Sequence, residues 1–361
     1  MPGLLSATTT PFPDFPTDIS THPLLVIDYA LLEAGDEAEI ERLWDAARNL
    51  GFWYLKNHGT TPLVESMFAM ARTTLALPMS EKLDFEQGDA GNSFGYKSAG
   101  ANAVDASGVP DTVEFINIAK DDALAFPRIA RRAYPGPVND RMGDTIRPFV
   151  ERAMAVNGLL LRIFDAKLGL PVGTLARMHP VEEHSGSEAR VIKNPPAPDW
   201  KRVAIGAHTD FGSLSFLHNR LGGLQVLVPG ADPENGGWQY VKPLEGCAIC
   251  NIGDSLALFS GGILRSNMHR VLPAPSTQST QTRWSLVFFT RPGNSVILRA
   301  LVEDSPIIAA AVAQAEDKNK FDTGCTSLEW FTRRIKNQRM ANRVGPETWM
   351  NSRGTEHQPA A

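Results

Sequence analysis

The chain lacks several features that define large classes of protein. It has no run of about eighteen apolar residues, which a membrane-spanning helix needs, and its first residues lack the basic and then apolar pattern of a secretory signal. Neither charge dominates, since 35 Lys and Arg face 40 Asp and Glu and give a formal charge of −5. Without a basic run or an Arg-rich face, nucleic acid is an unfavourable partner. We expect a cytoplasmic protein that binds neither membrane nor nucleic acid.

Cysteine is also scarce. The three cysteines, Cys247, Cys250 and Cys325, are too few for a disulfide framework in a chain of 361 residues. Cys247 and Cys250 have the spacing of a redox pair, but they lie in an apolar run that predicts a strand, and no further zinc ligands are near them in the sequence. We therefore expect these two thiols to be packing residues.

The chain does contain enough apolar residues for a sizeable core. Hydrophobic residues make up 43% of its 361 residues, which fits one large domain or two ordinary ones. Low-complexity sequence is confined to the Thr- and Pro-rich start and to the final residues, so both ends are expected to be flexible.

Before about residue 170, apolar residues at helical spacing alternate with short strand-like runs. The predicted elements are a strand at 23–29, a helix at 35–50, a strand at 51–55, a helix at 62–76 and a long helix at 139–168. Residues 86–111 are rich in Gly, Ser, Ala and Asn, which predicts a mobile loop. Loops of this length often cover active sites, so this one is a candidate lid.

After residue 190 the pattern changes to short β-type runs separated by Gly, Pro and Asn, and it continues to about residue 291. Many short strands at this spacing indicate a barrel, a sandwich or a jelly roll. A basic amphipathic helix is predicted at 327–340 and is expected to pack on the outside of this β unit.

Two residues at the end of a predicted strand have the spacing of metal ligands. His208 and Asp210 are two positions apart, so their side chains project to the same face. His269 begins another predicted strand about sixty residues later. Two His and one carboxylate on one side of a metal leave the opposite positions open, as in non-haem Fe(II) oxygenases. A His-x-Asp pair alone also occurs by chance in many proteins.

A second pair of polar residues follows on another predicted strand. Arg283 and Ser285 are again two positions apart, within the apolar run RWSLVFF. An Arg in so apolar a strand needs a buried anionic partner, because an unpaired buried charge is very costly. A bound carboxylate, held by guanidinium and hydroxyl together, would meet this need, and so would an internal Asp or Glu. The sequence leaves both alternatives open.

The order of these motifs resembles the isopenicillin N synthase-like branch of the Fe(II)/2-oxoglutarate-dependent dioxygenases over nearly the whole chain. The matching segments are VID at 26–28, GFWYLKNHG at 51–59, PMSEK at 78–82, DTVEF at 111–115, HTDFGSL at 208–214, GGLQV at 222–226, NIGD at 251–254, SGG at 260–262 and SNMHRV at 266–271. Each segment alone is a weak signal, but the ordered set is highly specific.

The resemblance implies a mainly β fold, a double-stranded β-helix or jelly-roll core with flanking α-helices. It implies that His208, Asp210 and His269 bind Fe(II) at the catalytic centre. It also implies that Arg283 and Ser285 bind the distal carboxylate of 2-oxoglutarate, the cosubstrate that is used together with O2.

This chain departs from the family pattern at one position of the cosubstrate site. Many relatives have Asn-Tyr-Tyr-Pro-Pro where this chain has Ile-Lys-Asn-Pro-Pro at 192–196. Asn194, or the neighbouring Lys193, therefore takes the place of the tyrosine that often supports the keto acid.

The resemblance also implies a division of the chain into regions. These are a flexible N-terminus at 1–22, an N-terminal dioxygenase region at 23–125, a supporting long-helix region at 126–185, the Fe(II)/2-oxoglutarate core at 186–300, and a C-terminal helical region and tail at 301–361.

The implied reaction is oxidation of a small molecule, of the secondary-metabolite kind, by hydroxylation, desaturation or ring formation with release of succinate and CO2. Two alternatives remain. One is an oxidase of the isopenicillin N synthase type, which uses no 2-oxoglutarate and in which Arg283 would hold the substrate's own carboxylate. The other is a jelly roll that binds a ligand without turnover. A monomer or a weak homodimer is expected.

For residues outside the metal motif, the sequence supports less specific predictions. His58 and His218 are expected to be structural histidines, and His179 to lie in a polar loop. The substrate pocket is mostly apolar in this interpretation. Its candidate walls are residues 94–96, residues 113–115, Phe211, Leu224 and Phe288.

Overall fold

The structure is a computed structural model and describes residues 12–355. Half of the expected flexible N-terminus is within this range, but residues 1–11 and the tail after residue 355 lie outside it. Within the described part of the chain, no helix is both long and apolar enough to cross a membrane.

Fourteen strands are present in the described residues. They are β1 (Val26–Asp28), β2 (Phe52–Lys56), β3 (Gly95–Lys97), β4 (Glu114–Ala119), β5 (Glu188–Asn194), β6 (Ile205–His208), β7 (Leu214–Asn219), β8 (Leu224–Leu227), β9 (Trp238–Tyr240), β10 (Ala248–Ile252), β11 (His269–Val271), β12 (Arg283–Thr290), β13 (Ile297–Arg299) and β14 (Asp322–Thr326).

Twelve α-helices accompany these strands between residues 12 and 355. They are α1 (Tyr29–Glu33), α2 (Glu37–Asn49), α3 (Thr61–Leu75), α4 (Met79–Leu83), α5 (Lys120–Ala125), α6 (Gly136–Asn139), α7 (Arg147–Lys167), α8 (Thr174–Met178), α9 (Asp254–Phe259), α10 (Pro306–Gln314), α11 (Ser327–Gln338) and α12 (Pro346–Asn351).

The strands form two sheets that carry the site and one small two-stranded sheet of β13 and β14. The larger sheet has eight strands in the order β1-β2-β10-β7-β12-β5-β4-β3, and the smaller has four in the order β6-β11-β8-β9. Only β1 and β2 pair in parallel; the other pairs are antiparallel. Apolar residues from both sheets, including Phe52, Val226, Ile249 and Val271, pack in one cluster, so the two sheets face each other.

Alternation along β12 gives its two faces different roles. Leu286 and Phe288 are fully buried and belong to the main apolar core, which also contains the inner residues of α3 and α7. Arg283 and Ser285 are on the opposite face, because successive side chains of a strand alternate in direction. The larger sheet therefore presents one face to the helices and the other to the smaller sheet.

Two helices pack against the outer face of the larger sheet. The first, α7, contacts β7 and β12, and the amide of its Asn157 donates to the hydroxyl of Thr290 at 2.7 Å. The second, α3, contacts β4, β5 and β12. These helices cover the sheet from outside and leave the site on the side that faces the smaller sheet.

The expected core of short strands with flanking helices agrees with these sheets, but helical residues outnumber strand residues, at 36% and 21% of the chain. The expected mainly β class thus fits the region after residue 186 better than the chain as a whole. Residues 86–111 are not wholly irregular, since they include β3. The long helix begins later than expected, because a π-helical turn at Met142–Ile146 precedes α7.

Candidate metal centre and adjoining pocket

Three side chains predicted from the sequence as metal ligands lie together between β6 and β11. His208 ends β6 and His269 begins β11, and the two residues are directly opposite in the antiparallel ladder. Asp210 follows two residues after His208, and its Oδ1 lies 3.8 Å from the Nε2 atoms of both histidines. One ligand atom from each residue lies within 4.8 Å of the others. Among residues 12–355, no other group of His, Cys, Asp or Glu has such geometry.

Backbone carbonyls orient both imidazole rings. The Nδ1 atom of His208 is 2.7 Å from the carbonyl oxygen of Gly206, and the Nδ1 atom of His269 is 3.2 Å from that of Asn267. A carbonyl can only accept, so each Nδ1 carries a proton, and in the neutral tautomer that this selects Nε2 has the lone pair. Both lone pairs are therefore available to a metal ion on the side of Asp210.

Polar neighbours hold the second oxygen of Asp210. Its Oδ2 accepts hydrogen bonds from the Ser215 hydroxyl at 2.5 Å and the Asn251 amide at 2.8 Å. Burial raises the pKa of Asp210, but the two neighbouring imidazoles and these hydrogen bonds outweigh burial and hold the pKa at about 2. Burial, with the adjacent His269, lowers the pKa of His208 to about 3. At neutral pH the cluster is thus a carboxylate with a neutral His208, the protonation state that metal ligation requires.

A buried ion pair supports the backbone that joins His208 to Asp210. Arg334 from α11 pairs with Asp254 at the start of α9, and both side chains are fully buried. Arg334 also donates to the carbonyl of Thr209 at 3.0 Å, and the Thr209 hydroxyl donates to Asp254 at 3.0 Å. The backbone N–H of Asp254 donates to the carbonyl of Asp210 at 2.8 Å. The helix expected merely to cover the β unit therefore holds the metal motif in place.

Replacing Arg334 by Met should destabilise the fold by about 3–5 kcal/mol, because it removes one member of a fully buried ion pair. Urea unfolding measures the free energy. Arg299→Met is the matched control, since Arg299 pairs with Glu303 on the surface and should cost about 1 kcal/mol or less. Equal losses in the two variants would show that the buried pair does not hold the motif.

Arg283 is buried without a carboxylate partner. It is 3% exposed, its Nε donates to the carbonyl of Gly222 at 2.7 Å, and its Nη1 donates to the Ser285 hydroxyl at 2.5 Å. Burial lowers the pKa of Arg283 to about 10. No Asp or Glu among residues 12–355 lies within ion-pair distance of this guanidinium. The alternative of an internal acidic partner is therefore wrong for the described part of the chain.

Asn194 lies directly opposite Arg283 in the pairing of β5 with β12. Its Oδ1 accepts from Thr112 at 3.2 Å, whereas its buried Nδ2 has no hydrogen-bond partner among residues 12–355. Lys193 projects to the other face and pairs with Glu114 at 2.8 Å. Of the two candidates at this position, Asn194 is therefore the one on the face of Arg283.

A small cavity of about 80 Å³ adjoins His208 and Asp210. Its aromatic and apolar wall includes Val113, Phe115 and Phe211, as the sequence predicted, together with Phe289 and Trp349. Other predicted wall residues are elsewhere, since Phe94, Tyr96, Leu224 and Phe288 do not line this cavity. The prediction that Phe288 lines the cavity was wrong by one position. In β12 the side chain of Phe289, and not that of Phe288, is directed toward the cavity.

The segment 86–111 borders this cavity. Asn102, Ala103, Val104 and Asp111 line it alongside His208. The backbone of Val104 lies so close to Gly206 that any side chain at position 206 would collide with its carbonyl. Gly206 therefore allows the segment to lie directly against β6, the strand that carries His208.

The other histidines discussed from the sequence contact neighbouring residues of the fold. His58 and His218 are buried on the helix side of the sheet with ring centroids 5.2 Å apart, in agreement with their expected structural role. His179 does not lie in an exposed loop, since its ring contacts the carbonyl of Leu175 at 2.6 Å and the Ser213 hydroxyl at 2.7 Å.

The cysteines follow the expected packing interpretation. Cys250 is fully buried in the main core, and Cys247 packs partly buried against the cluster between the sheets. Both thiols are free, and burial raises the pKa of each of them.

Two family models match the chain. The 2OG-Fe(II) oxygenase superfamily matches residues 186–292, and the family described as non-haem dioxygenase in morphine synthesis N-terminal matches residues 24–137. Together they cover more than half of the chain, and the first range contains the three clustered side chains and Arg283.

Relatives of known sequence and structure resemble the chain over most of its length. A 2-oxoglutarate-dependent dioxygenase of a Dothideomycetidae species is 29% identical over 284 residues, which cover 77% of this chain and 84% of the relative. One of Aspergillus fumigatus is 26% identical over 356 residues and covers 89% of each chain. The crystal structure of a full-length Neurospora crassa protein in complex with alpha-KG and 5-formyluracil has a TM-score of 0.69 at 22% identity, and the match covers 87% of this chain and 96% of that protein. At that identity the structure shows a shared fold.

Proposed function

The chain belongs to the 2OG-Fe(II) oxygenase superfamily, and on that premise we propose that His208, Asp210 and His269 are its Fe(II) ligands. The observation that carries the proposal is the geometry of the three donor atoms within 4.8 Å, with both Nδ1 atoms bonded to carbonyls. The chain is thus an oxidoreductase that uses Fe(II) and 2-oxoglutarate.

Bound Fe(II), with 2-oxoglutarate and O2, supplies the oxidising power, since oxidative decarboxylation to succinate and CO2 accompanies oxidation of the substrate. The residues of this chain then have three tasks. The two imidazoles and the carboxylate would hold the metal from one side. Ser215 and Asn251 fix the Oδ2 atom of Asp210. The apolar side chains of the cavity wall, including Phe115 and Phe211, would limit the access of water to the reacting atoms.

Arg283, Ser285 and Asn194 are proposed to bind the distal carboxylate of 2-oxoglutarate. Arg283 is a buried cation that has no acidic partner within residues 12–355, and the buried Nδ2 of Asn194 has no acceptor there. A bound carboxylate would satisfy both groups and would accept from the Ser285 hydroxyl as well. Asn194 then donates from the position where many relatives have tyrosine.

A small-molecule substrate binds in the cavity beside the metal in this proposal. The support is the position of the cavity beside His208 and Asp210 and the presence of aromatic and apolar residues among those that line it. We propose that this small molecule is a secondary metabolite. We propose that the segment 86–111 covers this cavity, because four of its residues line it.

The two facing sheets are proposed to form a double-stranded β-helix, with its core at 186–300. The regions at 23–125, 126–185 and 301–361 are proposed to support it. The tie from Arg334 of α11 to Thr209 is in line with a supporting role for the last region.

Oxygen uptake with and without 2-oxoglutarate tests the proposed reaction. Succinate formation that requires both Fe(II) and 2-oxoglutarate is expected. Uptake that is independent of 2-oxoglutarate would indicate an oxidase of the isopenicillin N synthase type. Binding of a metabolite without any uptake would indicate a jelly roll that has lost turnover.

A further inference from the structure

Two arginines on the cavity wall share one carboxylate. Arg190 of β5 and Arg291, which follows β12, both line the cavity beside the metal cluster. The Oε1 atom of the fully buried Glu188 lies 2.7 Å from Arg190 and 3.3 Å from Arg291. Neither arginine has another acidic partner within ion-pair distance among residues 12–355. Two guanidinium charges therefore face a single negative charge.

Neighbouring charges do not neutralise this excess. Of the other charged residues that line the cavity outside the metal cluster, Asp111 forms a buried ion pair with Lys97, and Arg353 is itself a cation. In the proposed catalytic complex, the charges of Fe(II), Asp210, 2-oxoglutarate and Arg283 cancel. The two arginines and their shared glutamate therefore retain one positive charge in a largely buried place, and such a charge is costly unless an anion is bound.

Both arginines also have hydrogen-bonding capacity left. The Nη1 of Arg190 makes no hydrogen bond with any residue from 12 to 355, since its Nε donates to Asn117 and its Nη2 to Ser93 and Glu188. Arg291 is 5% exposed, and its Nε is a buried donor without a partner in the same range. Each guanidinium can thus donate to a ligand and still keep its contact with Glu188.

Aromatic rings fix the two guanidinium groups. The Cζ of Arg190 lies 4.4 Å from the ring centroid of Phe115 and 5.1 Å from that of Phe289. The Cζ of Arg291 lies 4.9 Å from the centroid of Phe289 and 4.7 Å from that of Phe331. Stacked guanidinium groups lose little freedom when they bind a ligand, so they can recognise a planar anion at low entropic cost.

We propose that the organic substrate carries a carboxylate on a small, flat apolar body, and that Arg190 and Arg291 bind this carboxylate. A carboxylate fits because Arg190, Arg291 and Glu188 together have one excess positive charge and because each guanidinium has a donor without a partner among residues 12–355. The flat apolar body fits the small cavity and the rings of Phe115 and Phe289. This inference rests on the proposed Fe(II)/2-oxoglutarate function, because it takes the cavity beside the metal as the substrate pocket.

Benzoate and its neutral analogue benzamide are suitable probes. Calorimetric titration of the anaerobic protein saturated with Fe(II) and 2-oxoglutarate should show benzoate binding at least about tenfold tighter than benzamide, because hydrogen bonds to a charged group are the stronger ones. Saturating 2-oxoglutarate prevents benzoate from binding at Arg283 instead. Absence of benzoate binding, or equal affinity for the two probes, would overturn the proposal.

Variants of Arg190 and of Glu188 are expected to shift the benzoate affinity in opposite directions. Arg190→Gln should weaken benzoate binding about tenfold to a hundredfold, and Arg190→Lys should give an intermediate affinity because it keeps the charge without the fork. Glu188→Gln should tighten benzoate binding, since it removes the internal competitor for both guanidiniums. Arg299→Gln, the same charge change at an exposed site, is the control and should leave the affinity unchanged.

A titration with 2-oxoglutarate separates failure of this proposal from failure of the proposed function. The Arg190 variants should bind 2-oxoglutarate within about twofold of the wild type, because Arg190 is not part of the Arg283 site. If the wild-type protein does not bind 2-oxoglutarate, the proposed function fails, and the benzoate titration is made with Fe(II) alone. Unchanged benzoate affinity in folded Arg190→Gln and Arg190→Lys would contradict the carboxylate site in either case.

Discussion

Replacement of Asp210 by Ala will abolish turnover and weaken Fe(II) binding by more than about a hundredfold. Loss of a residue that only hydrogen-bonds to a metal ligand already lowers metal affinity by roughly ten- to a hundredfold, and loss of a ligand should lower it further. Asp210 is the one anionic donor in the cluster and lies 3.8 Å from both Nε2 atoms. Its removal would leave a bound metal with the two imidazoles alone and would leave Ser215 and Asn251 without their acceptor. His208→Ala and His269→Ala should have the same effect. Anaerobic Fe(II) titration and succinate formation measure the two losses.

The control for these variants is His184→Ala. His184 is exposed and is not part of the metal cluster, so its replacement should change neither the Fe(II) affinity nor the rate. Circular dichroism shows whether each variant is folded. A folded Asp210→Ala protein that binds Fe(II) as tightly as the wild type would contradict the assignment of this ligand.

Arg283→Gln should weaken 2-oxoglutarate binding by about thirtyfold to several thousandfold, which corresponds to the roughly 2–5 kcal/mol lost with one member of a buried charge pair. Ser285→Ala removes one hydrogen bond to a charged group and should cost about 1.5–3 kcal/mol at most. Arg283→Lys keeps the charge but loses the planar fork, so an intermediate loss is expected. The dependence of succinate formation on 2-oxoglutarate concentration measures all three effects.

Two comparisons make this test specific. Arg299→Gln removes an exposed guanidinium and should leave the 2-oxoglutarate dependence unchanged. If Arg283→Gln also leaves that dependence unchanged but weakens binding of the organic substrate, the arginine binds the substrate, and an oxidase of the isopenicillin N synthase type becomes the better interpretation.

The sequence predicted the two pairs of site residues with a spacing of two positions, although only Arg283 and Ser285 share a strand and Asp210 lies just beyond the end of β6. His208 with Asp210, and Arg283 with Ser285, are pairs two positions apart, and each pair lies close together in the structure. The approach of His269 could also be predicted, because it begins a strand and the family motifs place it. Strand pairing opposite His208 is the physical reason for this proximity.

The parts that the sequence did not predict depend on tertiary contacts. The basic face of the helix at 327–338 indicated a surface helix, but Arg334 is fully buried against Asp254, from which it is separated by 80 residues in the chain. No local pattern distinguishes such an arginine from an exposed one. Phe289 could have been predicted from the sequence, because it is an even number of positions from Arg283 and Ser285 and therefore lies on their face of β12, whereas Phe288 lies on the other face.

The cluster of Arg190, Arg291 and Glu188 beside the cavity could also be predicted only in part from the sequence. Glu188 and Arg190 are two positions apart on β5, so their shared face could be inferred from the sequence. Arg291 joins them only through the pairing of β5 with β12, in which Phe289 lies opposite Glu188. The excess positive charge of this cluster therefore could not be predicted without the register of the two strands.

A crystal structure of the anaerobic complex with Fe(II) and 2-oxoglutarate, with the iron located by its anomalous scattering, tests the central claim most directly. The expected result is one iron peak about 2 Å from Nε2 of His208, Oδ1 of Asp210 and Nε2 of His269. The distal carboxylate of 2-oxoglutarate should accept hydrogen bonds from Arg283 and Ser285. An iron peak away from these three atoms, or a 2-oxoglutarate carboxylate that does not contact Arg283, would contradict the proposed site.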